Sequence, residues 1–578
     1  MREVRERTFR TFDGVELFYR HWPAANAKGA IVLFHRGHEH SGRMAHLVDE
    51  LALHDFDFYA WDARGHGRSP GARGHSPSLA TSVRDVNDFV THVAETHELE
   101  NVAVIAQSVG GVLAATWLHD YAPRIRCAVL ASPAFKVKLY VPLARPGLAL
   151  MRKVRGNFVV KSYVKSKFLT HDPQRIASYD TDPLITRDIA VDILLQLYEA
   201  AERVVADAQA ITVPLQLLIS GADFVVHHQP QHDFFNRLGS TIKERHVLPG
   251  FYHDTLGERD REAALHHIRR FVEERFAAPR VEVDLTQSHR TGPTRQEADE
   301  LATPLATLSP RGLYWAMTRA GMRVGGALSN GLKLGHETGF DSGSTLDYVY
   351  RNQADSASFL GRFIDRNYLQ SIGWRGIRQR KVNVEELIRI AMEKLRAEGR
   401  PVRVMDIAAG HGRYVLEALN GAATRPDSIL LRDYSELNVQ QGAAMIAAKG
   451  LGQLARFEKG DAFDRASLAS VEPTPTLSIV SGLYELFGDN DMVSRSLAGV
   501  ADAMRGGGYL VYTGQPWHPQ LELIARALTS HRGGEAWVMR RRSQGEMDQL
   551  VARAGFRKLA QRIDEWGIFT VSLAVRAS

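Results

Sequence analysis

The sequence predicts an α/β chain built twice over: two mostly parallel sheets, each covered by helices, with a polar linker between them. Three observations predict this. The chain has 578 residues, more than a single hydrophobic core serves, so at least two domains are expected. Apolar runs of strand length alternate with helical patterns in two separate stretches, the mark of a parallel sheet with helices on both faces. Between those stretches the periodicity fails. At 44% hydrophobic and 24% charged, the composition is that of a globular protein.

In order along the chain, the first series of runs is Ala30–His35, Phe56–Ala63, Val102–Gln107, Cys127–Ser132, Leu215–Ser220 and Arg245–Leu248, within a domain over 1–276. Residues 136–210 break the rhythm with helical, basic sequence and read as a cap inserted between strands. Residues 277–310 are rich in Pro, Thr, Gln, Arg and Glu, without apolar periodicity, and read as a linker. Residues 311–400 are helical and punctuated by glycine. A second series fills 401–578: Val402–Ala408, Ser428–Arg432, Ala455–Lys459, Leu477–Ser481, Tyr509–Thr513 and a closing strand, Trp566–Val575. No internal repeat is found.

Composition also excludes. Cys127 is the single cysteine, so neither an internal disulfide nor a cysteine zinc site is available. The first residues are charged with no apolar stretch behind them, and no run of about 18 apolar residues occurs, so neither a signal peptide nor a spanning helix is expected. A cytoplasmic protein is the expectation. A net charge of +6 over this length is a weak argument for nucleic acid, and none is expected as a partner. Clustering says more. Lys136, Lys138, Arg145, Arg152, Lys153, Arg155, Lys161, Lys165, Lys167 and Arg175 interleave with apolar residues. That combination suits peripheral contact with an anionic membrane surface; a solvated cap face is the equal alternative.

Ala106-Gln107-Ser108-Val109-Gly110-Gly111 sits between an apolar strand and a helix. A serine on such a turn is a nucleophile elbow, where small flanking residues let strained backbone pack closely. Ala106 stands where the usual pattern has glycine. Serine needs a histidine to take its proton and a carboxylate to orient that histidine, in the chain order Ser, Asp, His. Asp223 and His253 each follow a strand end in that order; a turn former and a loop histidine are the plain alternatives. An oxyanion hole needs two backbone N–H groups. Val109 and Gly37 are the candidates, Gly37 lying in the loop after the first core strand.

Three stretches then carry a resemblance: HRGHEHSGR at 35–43, DARGHGRS at 62–69, and Asp182-Pro183-Leu184. Residues 1–276 resemble the monoacylglycerol lipase and lysophospholipase branch of α/β-hydrolases. The resemblance implies an α/β-hydrolase fold with a helical cap, and a carboxylic ester of a single-chain lipid as substrate. Arg36 replaces the family's glycine beside the oxyanion loop; it could narrow the acyl pocket or bind an anionic head group. The cluster His35, His38 and His40 is explained by this alignment without a metal.

In the second half, Asp406 lies in a strand that runs into Ala408-Ala409-Gly410-His411-Gly412 and then a helix. Glycines there let backbone approach a ligand at a helix N-terminus. The dinucleotide pattern is not met, since Val415 stands at the third glycine position. An acid before the glycines fits the S-adenosylmethionine pattern, with Ala408 at its first glycine. Asp433, 21 residues past Gly412, is placed for ribose hydroxyls. Asp461, Ala462 and Phe463 are placed for the adenine. The ordered set resembles class I methyltransferases over about 402–575, which implies a Rossmann-like fold and S-adenosyl-L-methionine as cofactor. GFDSGSTLDYVYRN (339–352) and IGWRGIRQR (372–380) resemble a particular bacterial methyltransferase family, making 311–400 a helical N-terminal extension. Tyr484, Glu485 and His518 are acceptor-site candidates by position only, each as readily structural.

The expectation is thus a bifunctional enzyme, ester hydrolase and methyltransferase, acting on small-molecule or lipid substrates. Two alternatives stay open: a thioesterase or carboxylesterase on a soluble acyl group, or a degenerate hydrolase domain that only binds. The oligomeric state is not legible.

Overall fold

The computed structural model describes residues 2–138 and 143–577; four residues of the expected cap, 139–142, lie outside them. The chain divides into two compact units, Met1–Val283 and Asp284–Ser578.

The first unit is built on strands β1 (Arg5–Arg10), β2 (Glu16–Trp22), β3 (Ala30–Phe34), β4 (Asp57–Trp61), β5 (Val102–Gln107), β6 (Cys127–Ala131), the short β7 (Val159–Lys161) and β8 (Asp188–Ala190), β9 (Leu215–Ser220) and β10 (Lys243–Leu248). Eight of them form one sheet in the order β1-β2-β4-β3-β5-β6-β9-β10. From β4 to β10 neighbours run parallel; β1 and β2 are antiparallel additions at one edge. The central strands β3, β5, β6 and β9 are buried along their whole length, which is why they read as unbroken apolar runs. The N-terminal β1, RERTFR, buries only Phe9. An exposed edge strand is protected by charge, and that charge hides it from hydropathy.

The cap follows β6. β7 and β8 pair as an antiparallel ribbon, flanked by helices Ala144–Arg155, Pro173–Thr181 and Val191–Ala206. Asp172 caps the second of these by accepting the N–H groups of Gln174 and Arg175. The helix Ala144–Arg155 buries none of its side chains.

The second unit holds β11 (Arg403–Asp406), β12 (Ser428–Asp433), β13 (Ala455–Lys459), β14 (Leu477–Val480), β15 (Tyr509–Gly514), β16 (Phe556–Ile563) and β17 (Thr570–Arg576). Their order is β13-β12-β11-β14-β15-β17-β16, parallel through β15, with β17 antiparallel to both neighbours. This is a doubly wound sheet. The order reverses between β11 and β14, and such a switch point leaves a crevice at the strand C-termini. Ahead of it, 311–400 is helical as expected, ending in the 26-residue helix Ile372–Ala397. Val384, Leu387, Ile388, Ala391 and Leu395 of that helix join the core under β11 and β12.

The expected linker differs from the structure. Residues 277–310 contain helices Ser288–Thr291 and Pro293–Ala302. Polar contacts hold them to the second unit: Asn490 donates to the Thr286 carbonyl at 2.9 Å, Arg540 to the Thr294 hydroxyl at 2.8 Å and Arg541 to Glu297 at 2.6 Å. A helix docked through side-chain hydrogen bonds has no apolar stripe to show in sequence. Among the described residues, no helix is long and apolar enough to cross a membrane.

Candidate active sites

Ser108 sits between β5 and the helix Val109–Tyr121 with φ 55° and ψ −116°. A serine held at positive φ is strained backbone that only its surroundings can impose. The surroundings are tight. A Cβ on Gly110 would lie 2.4 Å from the His35 carbonyl oxygen and 2.8 Å from that of Phe34, so only glycine lets this helix dock against the end of β3. Ala106 is in regular register with Phe34 and Leu130 inside the sheet, which is why a methyl group is tolerated in place of the expected glycine.

Three side chains distant in sequence meet here. Ser108 Oγ is 2.7 Å from His253 Nε2, and His253 Nδ1 is 2.7 Å from Asp223 Oδ2. The other Asp223 oxygen accepts the N–H groups of Val225 and Val226 at 2.6 and 3.0 Å. All three residues are buried. Burial alone would raise the Asp223 carboxyl; the His253 ring and the two backbone donors outweigh it and hold it below the usual carboxylate range. An ionised Asp223 only accepts, so His253 carries its proton on Nδ1 and offers Nε2 as acceptor to the serine. A Cβ on Gly37 would stand 3.0 Å from Val109 Cγ2, so the two candidate oxyanion residues are neighbours. Val109 opens its helix, where N–H groups have no intrahelical partner.

The Arg36 side chain is engaged within the protein. Its guanidinium is buried and makes two hydrogen bonds to Glu39, at 2.8 and 2.9 Å, with Asp254 at 3.9 Å and the Tyr179 ring at 5.3 Å. Glu39 also accepts from Arg43 at 2.9 Å, and these cations, against the pull of burial, bring its carboxyl down to about 2. Asp254 in turn accepts from Arg175 and from Gln107, the residue before the serine, at 2.9 and 3.1 Å. Arg36 is thus the hub of a buried ion network behind the elbow. The neighbouring histidines are engaged too. His35 lies between the Arg36 carbonyl and the Ala63 N–H, and His40 Nε2 is 2.9 Å from Asp182. Asp62, of the second quoted motif, accepts the N–H groups of Ser41 and Arg68 at 2.7 and 2.8 Å.

In the second unit, a cleft of about 880 Å³ opens at the switch point of the sheet. Ala408, Gly410, Asp433, Asp461, Ala462 and Phe463 line it, all expected from sequence. Gly410 and Gly412 have φ 57° and 75°, and a Cβ on Gly412 would lie 2.4 Å from Leu431 Cδ1. Asp433, ending β12, accepts the Gly410 N–H at 3.0 Å, and its other oxygen accepts from Ser435 and Asn438. Ala408 has ordinary backbone and donates to Asp406 at 3.2 Å, so alanine fits where the pattern has glycine. Asp406 is fully buried at the base of this turn. Burial pushes its carboxyl up to about 7, against the Tyr414 hydroxyl and the Ala408 N–H, which pull it down. It orders the turn from beneath and does not line the cleft. A glycine turn, a strand-end carboxylate and an open cleft fit a nucleoside bearing a ribose diol.

A smaller apolar slot of about 130 Å³ shares Asp341, Leu346, Gly482 and Leu486 with that cleft as common wall. The three acceptor-site candidates part here. Glu485 and His518 line the slot. Tyr484 does not; its hydroxyl turns into the core and donates to Ser496 at 3.0 Å. His518 accepts the Gln520 N–H on Nδ1 at 3.0 Å, and burial lowers it to about 4, so it is neutral with its proton on Nε2. Arg542 holds the loop bearing Glu485, donating to the Tyr484 and Phe487 carbonyls.

Sequence reasoning missed several wall residues. Ser342, Gly343 and Asp347 line the cleft, while Gly373, Trp374, Ile377 and Arg380 line the slot. The signal was present: these are residues of the two motifs, 339–352 and 372–380, that carried the methyltransferase resemblance.

Comparison with known proteins agrees with this division into two units. A family model described as "Serine aminopeptidase, S33" matches residues 25–260, and one described as "Putative methyltransferase" matches residues 268–576, more than half the chain. The chain belongs to that methyltransferase family and carries a hydrolase domain ahead of the match. "Uncharacterized protein YnbC" of Escherichia coli (strain K12) is 60% identical over 575 residues, covering 99% of this chain and 98% of its own. A monoacylglycerol lipase of Mycolicibacterium smegmatis is 26% identical over 272 residues, 46% of this chain and 96% of its own. Among solved structures, a soluble variant of monoglyceride lipase from Saccharomyces cerevisiae is 17% identical over 47% of this chain and 96% of its own, with a TM-score of 0.43.

Proposed function

We propose that the chain is a bifunctional enzyme: a serine hydrolase of carboxylic esters, acting on a single-chain acyl lipid, joined to a methyltransferase that uses S-adenosyl-L-methionine. The observation that carries the hydrolase half is the unbroken hydrogen-bonded line from Ser108 through His253 to Asp223. In this reading His253 Nε2 takes the Ser108 proton as the oxygen attacks the ester carbonyl, and later returns a proton to the leaving alcohol. Asp223 keeps the imidazole in the right tautomer. The N–H groups of Val109 and Gly37 stabilise the oxyanion.

The lipid substrate is supported by the names of the hydrolase relatives and by the cap. Its helix Ala144–Arg155 exposes Leu150, Met151 and Val154 among Arg152, Lys153 and Arg155, a basic and apolar face suited to an anionic lipid surface at the membrane periphery. In the methyltransferase half, the 408–412 turn, Asp433 and Asp461 would hold the cofactor, which supplies a methyl group on a positively charged sulfur. The protein's part is to orient the acceptor and exclude water.

The hydrolase test is turnover of a monoacylglycerol against an acyl thioester and a short soluble ester. Wild-type protein should prefer the monoacylglycerol. Ser108→Ala should lose activity by roughly 10⁶-fold and Asp223→Asn by roughly 10⁴-fold. A preference for the thioester would move the substrate to a soluble acyl carrier, and full activity in Ser108→Ala would remove the serine mechanism.

A further inference from the structure

The slot beside the cleft is chemically unusual. Its walls are apolar and aromatic, including Trp374, Trp537 and Phe569, and its volume of about 130 Å³ is on the scale of a cavity that takes one benzene ring. Yet buried polar atoms among its lining residues have no partner. Arg380 Nε and Glu485 Oε2 are both unsatisfied, and so are Gln515 Nε2 and Trp537 Nε1. Arg380 is 3% exposed and Glu485 6%. An unmet buried donor or acceptor is costly, more so when charged, so such a cluster points to a missing ligand.

The missing group can be read from the atoms left over. The Gly482 N–H donates to Thr513 Oγ1 at 2.9 Å, and Thr513 gives its own proton to Glu485 Oε1 at 2.7 Å. Glu485 Oε2 is therefore the oxygen left to accept. Arg380 Nη1 stands 3.6 Å from Glu485 Oε1, and the guanidinium lies 5.0 Å from the Phe569 ring centre. An ammonium ligand would put a second cation beside Arg380. A carboxylate or phosphate would put a second anion beside Glu485. A hydroxyl meets both residues: its proton goes to Glu485 Oε2, and its oxygen accepts from Arg380 and Gln515.

We propose that the methyl acceptor is a hydroxyl group on a ring-sized apolar body, seated in this slot with its oxygen between Glu485 and Arg380. This rests on the methyltransferase reading above and deepens it. Glu485 takes the hydroxyl proton as the oxygen's electron pair forms the new bond to the methyl carbon. The carbon–sulfur bond breaks, its electron pair stays on sulfur, and the sulfonium charge and the carboxylate charge are cancelled together. Arg380 stabilises the developing negative charge on oxygen. His518 cannot replace Glu485 as base, because its Nε2 already carries the ring proton.

The test is fragment binding to the full chain by saturation-transfer NMR, in the presence of S-adenosylhomocysteine whose own binding is followed by calorimetry. The probes are benzyl alcohol, toluene, benzylamine and benzoate. Benzyl alcohol should bind at least about tenfold more tightly than the other three, and Arg380→Gln should bring it down to the toluene level while S-adenosylhomocysteine affinity stays within about twofold. Toluene equal to benzyl alcohol, benzylamine or benzoate ahead of it, or no fragment bound to protein that holds S-adenosylhomocysteine would overturn the proposal and leave the methyltransferase reading standing. Failure to bind S-adenosylhomocysteine would remove both. If the variant fails to melt cooperatively, the wild-type ranking alone decides.

Discussion

At the scale of single residues, Asp406 joins structure to a measurable pH effect. The unfolded chain gives up this proton near the ordinary value of 3.8, the folded chain near 7. Between those values the folded state holds the extra proton, so stability falls as pH rises through the window and is level above it. Asp406→Asn removes the buried charge, and thermal scans without ligand should show a larger rise in melting temperature at pH 8 than at pH 5, worth a few kcal/mol at most. Equal shifts at the two pH values would mean that Asp406 is ionised throughout. The same scale shows what sequence can carry. That Ser108, Asp223 and His253 come together was legible because the proposed reaction demands those groups in a fixed order along one fold. Arg36 was not, since its surroundings include Asp254, more than 200 positions away in the chain. Arg380 was legible only as part of a motif and Trp537 not at all: the unmet hydrogen bond at each is revealed by packing alone.

At the scale of elements, the buried parallel strands were legible nearly to the residue, because burial on both faces leaves only apolar side chains. The edge strand β1 and the helices in 284–302 escaped, since charge and polar docking replace the apolar period there. The cap helix Ala144–Arg155 is the element whose chemistry reaches outward. Leu150 and Val154 are 65% and 83% exposed, so Leu150→Glu with Val154→Glu alters no core. That double variant should bind anionic phosphatidylglycerol vesicles at least about tenfold more weakly in a flotation assay, while hydrolysing a short soluble ester at the wild-type rate. Unchanged vesicle binding would show the face to be merely solvated.

At the scale of the whole molecule, each unit has its own hydrophobic core. One lies around β3 to β6 of the first unit, and others flank the sheet of the second. Two domains were legible from length and from the interruption of the strand rhythm, but their boundary was not, because the polar segment after 283 belongs to the second unit. On the proposed function, one chain carries two catalytic sites. Native mass spectrometry of the intact protein, treated with a fluorophosphonate and then with S-adenosylhomocysteine, tests it most directly. A doubly shifted species is expected, with one covalent mass that survives denaturation and maps to Ser108, and one non-covalent mass that denaturation removes. A protein that takes only one of the two, or a covalent adduct that persists in Ser108→Ala, would contradict it.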